Sequence, residues 1–452
     1  MGDYSDRLNR VIPGGAHTYS RGDDQYPSNA PEILARGQGA YVFDSSENRY
    51  LDYGMALRAV TLGYADPRVN AAAIRQIERG VNLTRPSMIE LEAAEALVDL
   101  IPGAEMVKFA KTGSNVTTAA VKIARAVTGR PYVCIPRQHP FFSFDDWFIG
   151  TTPLKRGIPP VLADLTLVFD YGDIASLERL FADYPDQIAC VLMEPATTVS
   201  PCPAACTRPM VAKSACGTCL NKGGNFLHRV RELTRKAGAL FVLDEMITGF
   251  RWHLQGAQTY FDVEPDLSTF GKGMANGFAL AALAGKREFM DVGGIRQSGA
   301  ERVFLMSSTH GAEMVALGAL LETIRIYREE AVTDHLWSYG ARLFDGINGV
   351  SRSLGLIEHF HMDGLPISMN YLTKDRNGVP SLALRTLFSQ EMIGNGVLMP
   401  WIAVSQAHGD RELEITLAAV ERALRVYAGA LEDGVERHLR GPAIKPVFRQ
   451  FN

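Results

Sequence analysis

Lys272 stands between two glycines in S-T-F-G-K-G-M-A-N-G, downstream of an apolar run that ends in two acids, A-L-F-V-L-D-E-M-I-T-G-F-R, the first of them Asp244. Flexible glycine backbone lets a lysine approach a carbonyl carbon closely, and a desolvated lysine is a nucleophile suited to Schiff-base formation. A carboxylate at the carboxyl end of a parallel strand lies on the rim where α/β folds place ligands. Pyridoxal phosphate needs these two groups, an amine for the Schiff base and a carboxylate that keeps the pyridinium nitrogen protonated. Singly, Lys272 is an ordinary loop lysine and Asp244 an ordinary cap or salt-bridge partner. The full phrases D-E-M-I-T-G-F-R and F-G-K-G, taken together, point to the cofactor.

A third stretch, K-T-G-S-N-V-T-T-A-A-V-K-I-A-R, runs from a strand into a helix. There Gly113, Ser114 and Asn115 would put N–H groups and small polar side chains at a helix N-terminus, where the dipole favours a phosphate. Serine and asparagine at that place are equally ordinary helix caps.

The elements that must position these groups follow from periodicity. Tyr4 to Ile12 reads as a short amphipathic helix closed by the turn at Pro13 to Gly15, and Ala40 to Tyr53 as a hairpin around Ser45 to Asn48. From about residue 60 helical periods alternate with short apolar strands, the signature of a layered α/β domain with parallel strands. Helices are expected at Met88 to Leu100, Asn115 to Val127 and Leu227 to Ala237, and strands at Met106 to Ala110, Tyr132 to Ile135, Ala189 to Met193 and Ala239 to Leu243. A helix from Ile324 to Leu336, later extended pieces and a closing helix near Leu413 to Leu431 form a smaller α+β domain. The expected division is an N-terminal segment over 1–59, a large domain over 60–323 carrying a cysteine-rich insertion at 200–224, and a small domain over 324–452.

The bulk properties agree with a small-molecule enzyme. With 452 residues, 46% of them apolar and 21% charged, the chain can bury a large core. A formal net charge of -4 supplies no broad positive field for nucleic acid or an anionic membrane. The first residues lack the apolar region of a secretory signal, and the apolar stretch Ala279 to Ala284 is far too short to span a bilayer, so a cytoplasmic protein is expected.

The motifs resemble those of the class III aminotransferases of fold type I, and within them the glutamate-1-semialdehyde aminomutase branch, from P-G-G at residue 13 to the last helix. The resemblance implies a large domain with a mostly parallel central sheet flanked by helices, plus a smaller α+β domain. It matches Lys272 to the Schiff-base lysine, Asp244 to the pyridine-nitrogen partner, and Met246 to a residue on one face of the ring. Gly113 and Ser114 match the phosphate-binding turn, and Glu194 in L-M-E-P matches a strand-end glutamate near the cofactor. Thr309 in M-S-S-T-H-G-A-E matches a threonine that reaches the phosphate from a neighbouring subunit, which implies a homodimer with shared sites. Arg21, with Thr18 on the same segment, falls where an arginine binds a substrate carboxylate, a job that suits a planar guanidinium; a surface arginine in a polar loop would look the same.

Three departures from that pattern matter. Relatives carry Y-H-G, with the tyrosine stacked on the ring, where this chain has Gln138, His139 and Pro140; Phe141 or Phe142 is left to supply the stacking aromatic, and His139 and Gln138 are polar groups for cofactor and acceptor. The gating glutamate of aminomutases, counted back from Ala407 and His408, is Pro400, which favours transamination over the intramolecular exchange. Finally, Cys202 and Cys206 (C-x3-C) and Cys216 and Cys219 (C-x-x-C) can close a tetrahedral zinc site, structural because four sulfurs leave no open position. An iron–sulfur cluster and four free reduced thiols are the other readings. The expected reaction moves an amino group from a donor, L-glutamate, to a semialdehyde, keto sugar or cyclic ketone of specialised metabolism, and the tail K-P-V-F-R-Q-F-N goes with such relatives. Rivals are an aminomutase and a catalytically silent scaffold that uses the cysteine insertion.

Overall fold

A computed structural model describes residues 4–202 and 224–451, which fall into two compact units, Pro67–Asp334 and Met1–Asp66 with His335–Asn452.

The unit Pro67–Asp334 is built on a seven-stranded sheet. After the hairpin strands of the other unit, β1 (Leu34–Gln38), β2 (Tyr41–Asp44) and β3 (Arg49–Asp52), its strands are β4 (Met106–Ala110), β5 (Tyr132–Pro136), β6 (Thr166–Phe169), β7 (Ile188–Met193), β8 (Leu240–Asp244), β9 (Leu267–Phe270) and β10 (Ala281–Gly285), in the order β4-β10-β9-β8-β7-β5-β6. All neighbours are parallel except β10, which is antiparallel to both β9 and β4. The sheet is therefore mostly parallel, and six carboxyl ends share one edge. Every residue of β7, β8, β9 and β10 is buried, as expected of strands covered on both faces, whose runs are continuously apolar rather than alternating. Val116, Ala120 and Ile123 of the helix Gly113–Thr128 join Val133, Ile135, Leu192, Val242 and Leu283 in one core.

Local rules place the helix ends. Ser87 and Glu90 form a capping box before Met88–Leu100, and Asn225 and His228 another before Phe226–Ala237. Gly129 and Gly238 end their helices in the left-handed conformation, with φ of 69° and 65°. The single helix expected from Ile324 to Leu336 is instead two, Met314–Glu330 and Val332–Ser353, broken at Ala331, whose φ is 48°.

The other unit holds a four-stranded sheet in the order β1-β2-β3-β13, with β13 at Val397–Leu398, and a separate hairpin of β11 (Phe360–Leu365) and β12 (Ser368–Thr373). The expected hairpin is β2–β3; Asp44 accepts from the main-chain N–H groups of Ser46 and Asn48, which closes its turn. Beyond β3 the backbone of Met55, Ala56, Leu57 and Arg58 is left-handed, with φ of 40°, 48°, 62° and 68°. Each such residue costs roughly 1–2 kcal/mol. Asp52 holds this turn by accepting from the N–H groups of Gly54 and Met55 and from the Tyr64 hydroxyl, which itself accepts from Ala56 N–H. Among the described residues no helix is long and apolar enough to cross a membrane.

Candidate active site

The shared edge of the sheet collects the residues singled out by their chemistry. β4 leads into Thr112–Ser114, β5 into His139, β7 into Glu194, β8 ends on Asp244, and β9 leads into Lys272.

Asp244 is buried, with 2% of its surface exposed. Its Oδ1 accepts from Met246 N–H at 3.0 Å and from the Thr269 hydroxyl at 2.9 Å. Burial raises its pKa, and the Lys272 ammonium, with those two hydrogen bonds, works the other way. Thr269 was not anticipated, although a hydroxyl three residues before the lysine, on the strand paired with β8, is the place to look for a carboxylate's partner.

Lys272 itself has a φ of 44° and opens a short 3-10 turn, Lys272–Ala275. Gly271 before it is needed for space: a Cβ there would lie 2.6 Å from the Met246 sulfur, and one at Gly113 would lie 3.0 Å from the same atom. The buried thioether of Met246 thus lies against the lysine turn on one side and the helix N-terminus on the other, and its own main-chain N–H holds Asp244. One methionine links all three motifs.

At that N-terminus the cap is Thr112. Its hydroxyl accepts from Asn115 N–H, and the Asn115 carboxamide oxygen accepts from Thr112 at 2.9 Å. Asn115 is therefore engaged as the reciprocal half of a capping box. The N–H groups of Gly113 and Ser114 belong to the first turn, which has no acceptor within its own helix. Ser114 is buried, and its hydroxyl oxygen accepts from Phe144 N–H at 3.0 Å. Beside this turn Lys111 pairs with Glu313 at 2.8 Å and donates to the Ala279 carbonyl.

The loop after β5 carries the two candidate stacking aromatics, Phe141 and Phe142. Phe142 is 2% exposed and packs edge-on against Phe148, so it belongs to the core. Phe141 is 46% exposed, and Phe144, two residues beyond Phe142, is 58% exposed. His139 is buried between Phe142 and Tyr171. Its Nδ1 accepts from Glu194 N–H at 3.1 Å, burial pushes its pKa down to about 3, and among the described residues its buried Nε2 has no hydrogen-bond partner. The ring is thus neutral with its second N–H unspent.

Thr309 is exposed, and its carbonyl accepts from the Asn82 side chain at 2.9 Å. Thr18 and Arg21 lie in the other unit, where Arg21 ends a 3-10 turn with an exposed side chain. Of the four clustered cysteines only Cys202 is described, half-buried beside Tyr171; Cys206, Cys216 and Cys219 lie outside the described residues. Among the described residues no three His, Cys, Asp or Glu side chains are grouped to hold a metal.

The sequence and the fold were compared with known proteins. Residues 24–155 and 210–402 match the family described as Aminotransferase class-III. The unmatched stretch between them contains Cys202 and Cys206, whereas Cys216 and Cys219 lie in the second matched stretch. A 3-aminobutyryl-CoA aminotransferase of Cloacimonas acidaminovorans is 31% identical over 92% of this chain and 94% of its own. A glutamate-1-semialdehyde 2,1-aminomutase of Desulfitobacterium hafniense is 31% identical over 77% of this chain and 78% of its own. Among solved structures, an omega-transaminase from Sphaerobacter thermophilus superposes with a TM-score of 0.79 at 28% identity, covering 94% of this chain and 97% of that one. The FumI protein of Sphingopyxis sp. MTA144, in its PLP internal aldimine form, gives a TM-score of 0.79 at 27% identity, covering 95% and 96%.

Directly behind Asp244 sits Glu245, fully buried, accepting from Thr248, from Ala257 N–H at 2.9 Å and from Gln258 N–H at 2.7 Å. Burial pushes its pKa up to about 7, with those donors opposing and the Asp244 charge adding to the rise. The unfolded chain releases this proton near ~4.3, so between there and the folded value the folded state binds more protons and this group's contribution to stability falls as pH rises. Glu245→Gln is expected to flatten that slope. Urea unfolding of both proteins at pH 5 and pH 8 checks it; equal slopes would show that Glu245 does not titrate in this window.

Proposed function

The chain belongs to the class III aminotransferases and is a pyridoxal-phosphate enzyme, and from that premise we propose that it transfers an amino group from L-glutamate to a carbonyl compound, with Lys272 and Asp244 as its working pair. The observation that carries the assignment is the seat of Met246, which brings the lysine turn, the buried carboxylate and the helix N-terminus to one place. A buried carboxylate with a raised pKa fits a cationic ring nitrogen, and the first-turn N–H groups fit a phosphate.

When bound, pyridoxal phosphate supplies a carbonyl that condenses with amines and a ring that takes up the electron pair left by a departing α-proton. Lys272 Nζ would hold that carbonyl carbon and, when free, would serve as the base that carries the substrate's α-proton. Asp244 would keep a proton on the ring nitrogen, and Gly113 and Ser114 would donate main-chain N–H groups to the phosphate, with Asn115 holding their turn. Met246, seated between the two turns, would pack on one face of the ring. Glu194 fixes the tautomer of His139, whose neutral Nε2–H is a donor on the same rim.

Arg21 binds a substrate carboxylate, with Thr18 beside it. Pro400 cannot gate as an acid, and its carbonyl accepts from Arg385 at 3.2 Å; this supports an enzyme that releases one keto product and admits the next over an aminomutase. The acceptor is a semialdehyde, keto sugar or cyclic ketone of specialised metabolism. The relatives, a 3-aminobutyryl-CoA aminotransferase, a glutamate-1-semialdehyde aminomutase and an omega-transaminase, support an acceptor that is not an ordinary α-keto acid.

The working form is a homodimer. Ile74, Ile77, Leu83, Met88 and Leu91, all more than half exposed in the single chain, lie on neighbouring segments, and an apolar set of this kind marks a protein interface. Asn82, among them, holds Thr309, which reaches the phosphate of the partner's site. Cys202, Cys206, Cys216 and Cys219 would hold a structural zinc ion, a reading supported by their spacing in the sequence alone.

Three measurements test these assignments. The near-ultraviolet and visible cofactor spectrum is expected to shift on titration with L-glutamate in the wild type and not to complete the change in Lys272→Ala; a bound cofactor that ignores glutamate would refute the donor. Mixing Lys272→Ala chains with Thr309→Ala chains is expected to restore activity that neither parent has, because the mixed dimer holds one intact site; no recovery despite mixed dimers in native mass spectrometry would place Thr309 in its own chain's site. Elemental analysis is expected to find zinc at about one equivalent in the wild type and none in a Cys216→Ser, Cys219→Ser variant, as four thiolates per ion require. Metal-free, fully active wild type would remove the zinc assignment.

A further inference from the structure

Arg21 is followed, after Gly22, by two consecutive aspartates, and each is held by a different end of the chain. Asp23 Oδ2 accepts from the Ser5 hydroxyl at 2.5 Å and the Asn9 side chain at 2.8 Å, both on the N-terminal helix Tyr4–Val11. Asp24 faces the other terminus. Its carboxylate pairs with Arg449, and its carbonyl accepts from Lys445 N–H at 2.9 Å. Gln25 completes the clasp, donating to the Lys445 carbonyl at 3.0 Å and to Asp24 Oδ1 at 3.1 Å. The tail is itself moored upstream, where Arg440 N–H donates to Gln390 at 2.8 Å and Ile444 N–H to Thr386 at 3.0 Å, both on the helix Leu382–Gly394.

Hydrophobic burial does not account for this arrangement. The helix Tyr4–Val11 has no buried residue, and the tail from Arg440 to Phe451 contains no helix or strand and no fully buried side chain. What both ends grip is the 3-10 turn Asp23–Gln25, which is joined to the turn Tyr19–Arg21 by Gly22, whose N–H donates to the Tyr19 carbonyl and whose carbonyl accepts from Gln25 N–H. The Arg21 charge is felt at two phenols of the same unit, Tyr26 and Tyr64, where it opposes the rise that burial imposes, and Tyr64 in turn holds the left-handed turn through Asp52. An arginine on a loop loses much of its binding energy to ordering unless that loop is already fixed.

We propose that the C-terminal strap, acting through Arg449, Lys445 and Gln25 on Asp24, is a positioning element that preorganises Arg21 for a substrate carboxylate. The inference rests on the assignment of Arg21 made above. The strap residues touch no reacting atom; they act by holding the turn that carries the guanidinium.

The test uses the full-length holoenzyme, with Arg449→Gln and Asp24→Asn as strap variants and Arg21→Gln as the reference. The probes are L-glutamate and 1-phenylethylamine, an amine with no carboxylate, in the half-reaction read from the cofactor spectrum. Both strap variants are expected to raise the half-saturating L-glutamate concentration about three- to tenfold, the size of an ordering cost for one side chain. The limiting rate, cofactor retention and half-saturation by the carboxylate-free amine are expected to stay unchanged, and amide exchange over residues 19–26 to quicken. If Arg21→Gln weakens glutamate and the strap variants do not, or if exchange over 19–26 is unaltered in both, the strap proposal is overturned while Arg21 stands. If Arg21→Gln itself leaves glutamate unaffected, the substrate assignment falls and the strap's role falls with it.

Discussion

The constraint on which the site depends is a carboxylate kept out of water. Removing an ion from solvent costs several kcal/mol, and hydrogen bonds from neutral donors recover part of it. Asp244 has two such donors, both on Oδ1, and the nearby charge of Lys272. Its surroundings follow from that need. Strand β9 lies beside β8 so that Thr269 can reach across; the chain turns at once after Asp244 so that Met246 N–H can point back; and Gly271 and Gly113 lack side chains so that the methionine has somewhere to go. A group held this way favours a positive charge in front of it, which is the electrostatic requirement of a protonated pyridine ring.

The layout divides its labour by strand. In a parallel sheet covered on both faces the strands contribute rigidity, and chemistry falls to the residues just past their ends. Here five of the six strand ends on the shared edge contribute a group: main-chain donors after β4, an imidazole after β5, carboxylates at β7 and β8, and an amine after β9. β10, running the other way, contributes none and lies between β4 and β9. The phosphate turn and the lysine turn are therefore separated by a strand in the sheet, and a side chain, that of Met246, spans the gap between them.

Much of this was legible in the chain itself, for identifiable reasons. Strand β7 is an unbroken apolar run, β8 is one that closes on its aspartate, β4 is one interrupted only by Lys108, and Met88–Leu100 carries a complete capping box, so their bounds were nearly right. The break at Ala331 was not readable, because an alanine in the left-handed region has no signature and both flanking segments share a helical period. β10 was passed over because A-A-L-A-G is poor in β-branched residues and becomes a strand through its two neighbours. Asn115 could equally have been a ligand or a cap, and only the position of Thr112 decides. Phe142 and Phe144 are two residues apart and chemically identical; which is core and which is exposed depends on how the loop is pinned, by Phe144 N–H on Ser114 and by the Phe142 carbonyl on Thr117.

One hydrogen bond outside the chemistry bears on the cysteine-bearing stretch. Phe226 N–H donates to the Pro201 carbonyl at 3.0 Å, so the chain leaves the edge of the sheet after β7 and returns to the same point to begin the helix Phe226–Ala237. Whatever length of chain is threaded between those two atoms, the strand before it and the helix after it see the same boundary. Closing a longer excursion adds only slowly to its entropic cost, about 0.6 kcal/mol for each doubling. The two residues that flank the cysteine-bearing stretch are thus fixed to each other, so the catalytic edge is insulated from the length of chain between them.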